Sequence, residues 1–141
     1  MDIEITFPGG KRVDAQVGAF RVQTDQPRTL GGDDSAPAPF DLFLASIGTC
    51  AGIYVLGFCQ ARGLATEGVR LRQRMTTDPE THLPSRIALE IELPAGFPEK
   101  YRAAVVRAAE GCKVKKTIAA APTFEVTATI AGDTQVAALT A

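Results

Sequence analysis

Three cysteines, Cys50, Cys59 and Cys112, are the side chains in this sequence best suited to covalent chemistry. A cysteine acts as a nucleophile or metal ligand only as thiolate, so the surroundings of each one decide what it can do. Cys50 lies inside a long uncharged run, where helical spacing places Phe43, Ser46, Ile47, Ile53, Tyr54 and Gly57 on roughly its side. Its surroundings are therefore expected to be apolar, and a buried helical cysteine is commonly just a small core hydrophobe. Cys112 follows Gly111 and opens a further helical segment rich in cations, Lys113, Lys115 and Lys116. A thiol at a helix N-terminus beside positive charge has a stabilised thiolate. Cys59 falls about 180° round the helix from Cys50 at about 100° per residue, so it is read as structural. If the chain does chemistry, a spatially paired Cys50 and Cys112 carry it.

Other centres are poorly supported. There is no CxxC, and the lone histidine, His82, lies in a proline-flanked turn, so neither a zinc site nor another metal or cofactor is expected. The Gly31-Gly32 pair lacks the later spacing of a dinucleotide fingerprint. No serine stands in a G-x-S-x-G context. Fifteen basic and sixteen acidic residues leave a formal net charge of −1, which offers no attraction to nucleic acid or an anionic membrane. An odd cysteine count leaves at least one thiol free. The acidic opening Met1-Asp2-Ile3-Glu4 does not resemble a signal peptide. These features predict a reducing cytoplasm, where paired cysteines serve redox or metal chemistry more often than they act as staples.

The elements that must position the two thiols can be read from periodicity. Hydrophobic residues make up 45% of the 141 residues and charged ones 22%, as in one ordinary globular domain spanning residues 1–141. Ile3, Ile5 and Phe7 alternate with polar residues, as do Val13, Ala15 and Val17, and Phe20 to Thr24 adds a third strand, giving an antiparallel meander. Residues 25–39, with Gly31-Gly32, Asp33-Asp34 and several prolines, form a loop. Pro39 suits the first turn of a helix, and Asp41 favours the helix dipole there. The helix is expected to run to about Arg62 and stop at Gly63. Its run from Leu42 to Cys59 reaches the lower edge of a membrane-spanning length. The glycines within it and the strands on either side predict instead the central helix of a globular core or dimer.

Val69, Leu71, Gln73 and Met75 alternate with arginines, and Ile87, Leu89, Ile91 and Leu93 alternate with residues that include Glu90 and Glu92, so opposite charges should pair across two strands. Pro98 opens a second helix through Gly111, with Tyr101, Val105, Ala108 and Cys112 on one stripe. A shorter helix follows to Ala121, and Phe124 to Ile130 forms a last strand. The order is βββ-α-ββ-αα-β, an α+β fold.

The run from Gly31-Gly32 through Pro39-Phe40-Asp41-Leu42 to Thr49-Cys50, with the second signature Gly111-Cys112-Lys113-Val114, resembles the OsmC/Ohr family. The resemblance covers nearly the whole chain. It implies an OsmC-like fold and an intertwined homodimer packed about two long central helices. It further implies a thiol peroxidase that reduces hydroperoxides, organic ones by preference, with a dithiol reductant as electron donor. Cys50 would be the peroxidatic nucleophile and Cys112 the resolving thiol. Family enzymes of the hydroperoxide-resistance branch place a Glu directly after the helix-opening Pro, paired with an Arg from the first hairpin. Here that position is Phe40 and the nearest acid is Asp41, an arrangement closer to the YhfA-type branch. Arg12 is the candidate for activating the thiolate, with Lys11 and Arg28 as substitutes. The alternative reading is a dimeric binding or stress module with vestigial cysteine chemistry. Burial would raise the pKa of Cys50 unless a cation or hydrogen bond compensates.

Overall fold

The computed structural model of the chain describes residues 1–130, 132 and 137–140. Strands β1 (Ile3–Gly9), β2 (Arg12–Val17) and β3 (Phe20–Val22) form the expected antiparallel meander, with Ile5 opposite Ala15 and Ala15 opposite Val22. Gly9 and Gly10 take positive φ at the first turn, where a side chain would be strained. Ile3, Ile5 and Phe7 are exposed within the single chain.

Residues 25–38 wrap around the buried carboxylate of Asp25. It accepts hydrogen bonds from the backbone N–H of Gln26, Asp33 and Ser35 and from the Ser35 hydroxyl. These donors hold the Asp25 pKa at about 2, the Ser35 hydroxyl first among them. Gly32 is required here because a Cβ would sit 1.9 Å from the Gln26 carbonyl oxygen.

Helix α1 (Pro39–Gln60) starts as its sequence predicts, with the Asp41 carboxylate accepting the N–H of Ala38 at 3.2 Å. It ends where Leu64 N–H reaches the Cys59 carbonyl and Gly63 N–H the Gln60 carbonyl, a Schellman turn with Gly63 at φ +61°. Its buried stripe is Ile47, Ala51, Val55 and Cys59. The helix is long and apolar enough to cross a membrane by length and composition, and only 22% of its most apolar window is covered within one chain.

Strands β4 (Arg70–Thr77) and β5 (Pro84–Glu92) pair antiparallel, Arg72 opposite Glu90, with ion pairs Arg72–Glu92 at 3.1 Å and Arg74–Glu90 at 3.3 Å. Gln73 on β4 donates to the Leu44 carbonyl of α1 at 3.0 Å, tying sheet to helix. The turn between the strands carries His82, exposed and at φ +58°.

Pro98 precedes a short 3-10 turn, and α2 (Arg102–Glu110) follows it. Val105, Ala109 and Cys112 are its buried line, so Ala109 takes the inward place expected of Ala108, which is only half-buried. They pack with Ala51, Val55 and Cys59 of α1, and Leu71, Leu89 and Ile91 of the two strands close the cluster. Helix α3 is Lys113–Ala119. The last predicted strand is shorter than expected, β6 (Glu125–Ala128), leaving Phe124 and Ile130 outside it. A further strand, β7 (Ala137–Thr140), pairs with β6 antiparallel, an element absent from the sequence expectation.

Candidate thiol site

The corner between α2 and α3 sits on the middle of α1, and this contact brings Cys50 and Cys112 together. Cys112 is the residue that caps the N-terminus of α3, and its side chain is fully buried. Its Sγ lies 3.8 Å from the Ile47 carbonyl oxygen. The same thiol faces the sulfur of Cys50 and helps to lower its pKa. One S–H proton therefore faces two acceptors, and a Cys50 thiolate is the stronger of them.

Cys50 itself is only half-buried, which corrects the expectation of a wholly apolar pocket. The reason is angular: the buried stripe of α1 is centred on Ala51 and Val55, and Cys50 lies at its edge. Cys59, the last member of that stripe, is fully buried in the core. All three cysteines are free thiols.

The pKa of Cys50 is lowered, and the causes are local. Largest is the backbone N–H of Val114, then the Cys112 thiol; the Lys113 N–H and the charge of Lys115 add to them, while desolvation opposes. These amides belong to the first turn of α3, where N–H groups have no partner within the helix. The sequence expectation set this helix start and its lysines against the Cys112 thiol. The sulfur they serve is Cys50, across the helix interface.

The remaining sequence candidates lie elsewhere. Arg12 is 3.6 Å from the buried carboxylate of Asp14, which Arg21 holds more closely through Nε at 2.8 Å and a terminal nitrogen at 2.6 Å. Within the chain, Arg12 is not among the groups that act on Cys50; Lys115 is the cation that does. Asp41 is occupied in capping α1. Arg28 is exposed in a 3-10 turn, and Lys11 lies along Gly31. Among the described residues no group of three or more His, Cys, Asp and Glu side chains comes together.

Two grooves adjoin the thiols. The smaller, about 320 Å³, is walled by Ile47, Ile87, Leu89 and Ile118 with Arg86 and Lys115. The larger, about 600 Å³, runs between β5 and α2 and touches the thiol site only through Lys115. Neither groove is lined by a cysteine; the smaller one is bordered by both Ile47 and Lys115, which lie against the cysteine pair.

Comparison with known proteins agrees with this architecture. Residues 32–127 match the family described as OsmC-like protein. A solved Psychrobacter arcticus 273-4 structure, whose name refers to osmotic stress induction and a detoxification response, shares the fold with a TM-score of 0.69 at 19% identity. The match covers 82% of this chain and 85% of that one. An OsmC-like protein from Mycoplasma pneumoniae gives 0.64 at 14% identity, covering 85% and 87%. An organic hydroperoxide resistance protein OsmC from Legionella pneumophila gives 0.51 at 21% identity, covering 83% and 87%. No curated protein matches the chain significantly. With a family match over more than half its length and an α+β fold shared with these structures, the chain belongs to the OsmC-like family.

Proposed function

We propose that this protein is a thiol-dependent peroxidase that reduces organic hydroperoxides. The observation that carries the reading is the seating of Cys112, at the start of α3, against the face of α1 that carries Cys50, whose pKa is lowered. A thiolate, not a thiol, attacks a peroxide. In the first step the Cys50 thiolate attacks one peroxide oxygen and the O–O bond breaks. The leaving alkoxide takes a proton and departs as an alcohol, and Cys50 becomes a sulfenic acid. The Cys112 thiol then attacks that sulfur, the S–O bond breaks, water leaves, and a Cys50–Cys112 disulfide remains. A dithiol reductant restores both thiols. The apolar walls of the adjoining groove suit an organic peroxide.

The printed name of the Legionella protein, organic hydroperoxide resistance protein, supports the same chemistry by family. The reading includes a homodimer, which would cover the apolar face that α1 leaves open, and a reducing cytoplasm, which would supply the reductant. A non-enzymatic dimeric binding or stress module is the second reading. It is favoured by Phe40 at the family Glu position and by the placement of Arg12 beside Asp14, away from Cys50 within the chain.

Peroxide consumption with cumene hydroperoxide and dithiothreitol separates the two. The peroxidase reading expects turnover by the wild type and none by Cys50→Ser. Equal, background-level consumption by both would favour the binding module.

A further inference from the structure

We propose that Tyr54 is a positioning residue of the thiol site: its ring sets the register in which Cys112 meets Cys50. The inference rests on the disulfide-forming step of the proposed function. Tyr54 and Cys50 are four residues apart on α1, so their side chains emerge as neighbours on one face. The two residues that dock on that face, Gly111 and Cys112, are neighbours in the chain. Cys112 meets Cys50 and the Ile47 carbonyl, and Gly111 meets Tyr54.

The second contact is unusually close. A Cβ at position 111 would lie 3.1 Å and 3.2 Å from two carbons of the Tyr54 ring, and 3.1 Å from the Ala108 carbonyl oxygen. Gly111 has φ −65°, an ordinary helical value that any residue adopts, so its backbone conformation does not call for glycine. The ring does. The corner of α2 and α3 is thereby seated at two adjacent points, the ring under Gly111 and the sulfur pair under Cys112. A shift of the corner by a fraction of an ångström would move the Cys112 sulfur relative to Cys50. Disulfide closure tolerates little such movement, because its bond lengths and torsion are narrowly set.

The test measures the effective concentration of Cys112 toward Cys50 by equilibration of the reduced protein with oxidised dithiothreitol. In that exchange Cys50 attacks the dithiothreitol disulfide, Cys112 displaces the mixed disulfide, and reduced dithiothreitol is released. It needs no peroxidase activity, so it stands or fails apart from the proposed function. Tyr54→Ala is expected to lower the effective concentration at least tenfold. Tyr54→Phe, which keeps the ring, should match the wild type, and Gly111→Ala should fall between them. Ile53→Ala removes the more exposed apolar side chain of the adjacent position and should change nothing. Thermal melts of each variant identify any that no longer fold. A wild-type value for folded Tyr54→Ala would overturn the proposal, as would equal losses in Tyr54→Phe and Tyr54→Ala.

Discussion

The first turn of α3 faces the sulfur of Cys50, and its Val114 amide is the largest cause that lowers the Cys50 pKa, so one short helix stabilises a thiolate carried by another. The cysteine that opens the short helix, Cys112, is adjacent to that sulfur and is itself wholly buried. The arrangement divides the two thiols by position: one reaches solvent at the edge of α1, the other lies beneath the α2–α3 corner.

Alkylation of Cys50 by iodoacetamide should therefore titrate below the pH range of an ordinary cysteine. The thiolate fraction, and with it the rate, rises as pH increases through the lowered pKa and is flat above it. Cys112→Ala removes a donor and should move the profile to higher pH. Rates measured by peptide mass spectrometry in a Cys59→Ala background would check this; an unmoved profile would contradict that role of Cys112.

Lys115→Met should slow that alkylation near neutral pH, whereas Arg12→Ala should leave it unchanged. Arg12 is instead one of two guanidinium groups on Asp14, and at 3.6 Å and partly exposed it contributes at most about 1 kcal/mol to stability. Arg21→Ala should cost more, about 1–3 kcal/mol, because the buried carboxylate loses its close partner. Urea denaturation of the two variants measures the difference.

Much of this architecture is legible in the sequence. The ends of α1 can be read because Pro39, Asp41 and Gly63 act through local backbone chemistry. The pairing of β4 with β5 can be read because alternation and opposite charge report one face at a time. The recipient of the α3 amides cannot be read, since it depends on how α2 and α3 cross α1. The half-exposure of Cys50 has the same origin: counting residues places it beside Ile47 and Tyr54, and only packing shows where the buried stripe ends. The role of Asp25 cannot be read from the sequence because all its donors but the Gln26 N–H come from residues eight and ten positions later. The cluster Gly31-Gly32-Asp33-Asp34-Ser35 was its available signal. Tyr54 had one too, in the glycine directly before Cys112.

That loop has its own acid limit. Asp25 has a folded pKa of about 2 against an ordinary value of 3.8. A depressed folded pKa gives stability that is complete above the unfolded value and lost as pH falls toward the folded one. Stability should therefore decline from about pH 4 to about pH 2, and Asp25→Asn should flatten that part of the profile. Gly32→Ala should destabilise at every pH, by about 1–3 kcal/mol, because its Cβ would overlap the Gln26 carbonyl. Thermal melts across the pH series distinguish the two effects.

A homodimer should appear by light scattering at low micromolar concentration, at about twice 14.9 kDa. Most of the apolar window of α1 is uncovered in one chain, and a second copy would remove that surface from water. A monomer at that concentration would contradict the expectation.

The central claim, that Cys50 and Cys112 form one redox centre, is tested most directly by peptide mapping after one equivalent of cumene hydroperoxide. A sulfenic acid on Cys50 would be captured by the nearest thiol, and capture requires Cα atoms within about 7 Å. The predicted product is an intrasubunit Cys50–Cys112 disulfide with Cys59 still reduced. A linkage through Cys59, or three thiols left free after the peroxide is added, would contradict the account.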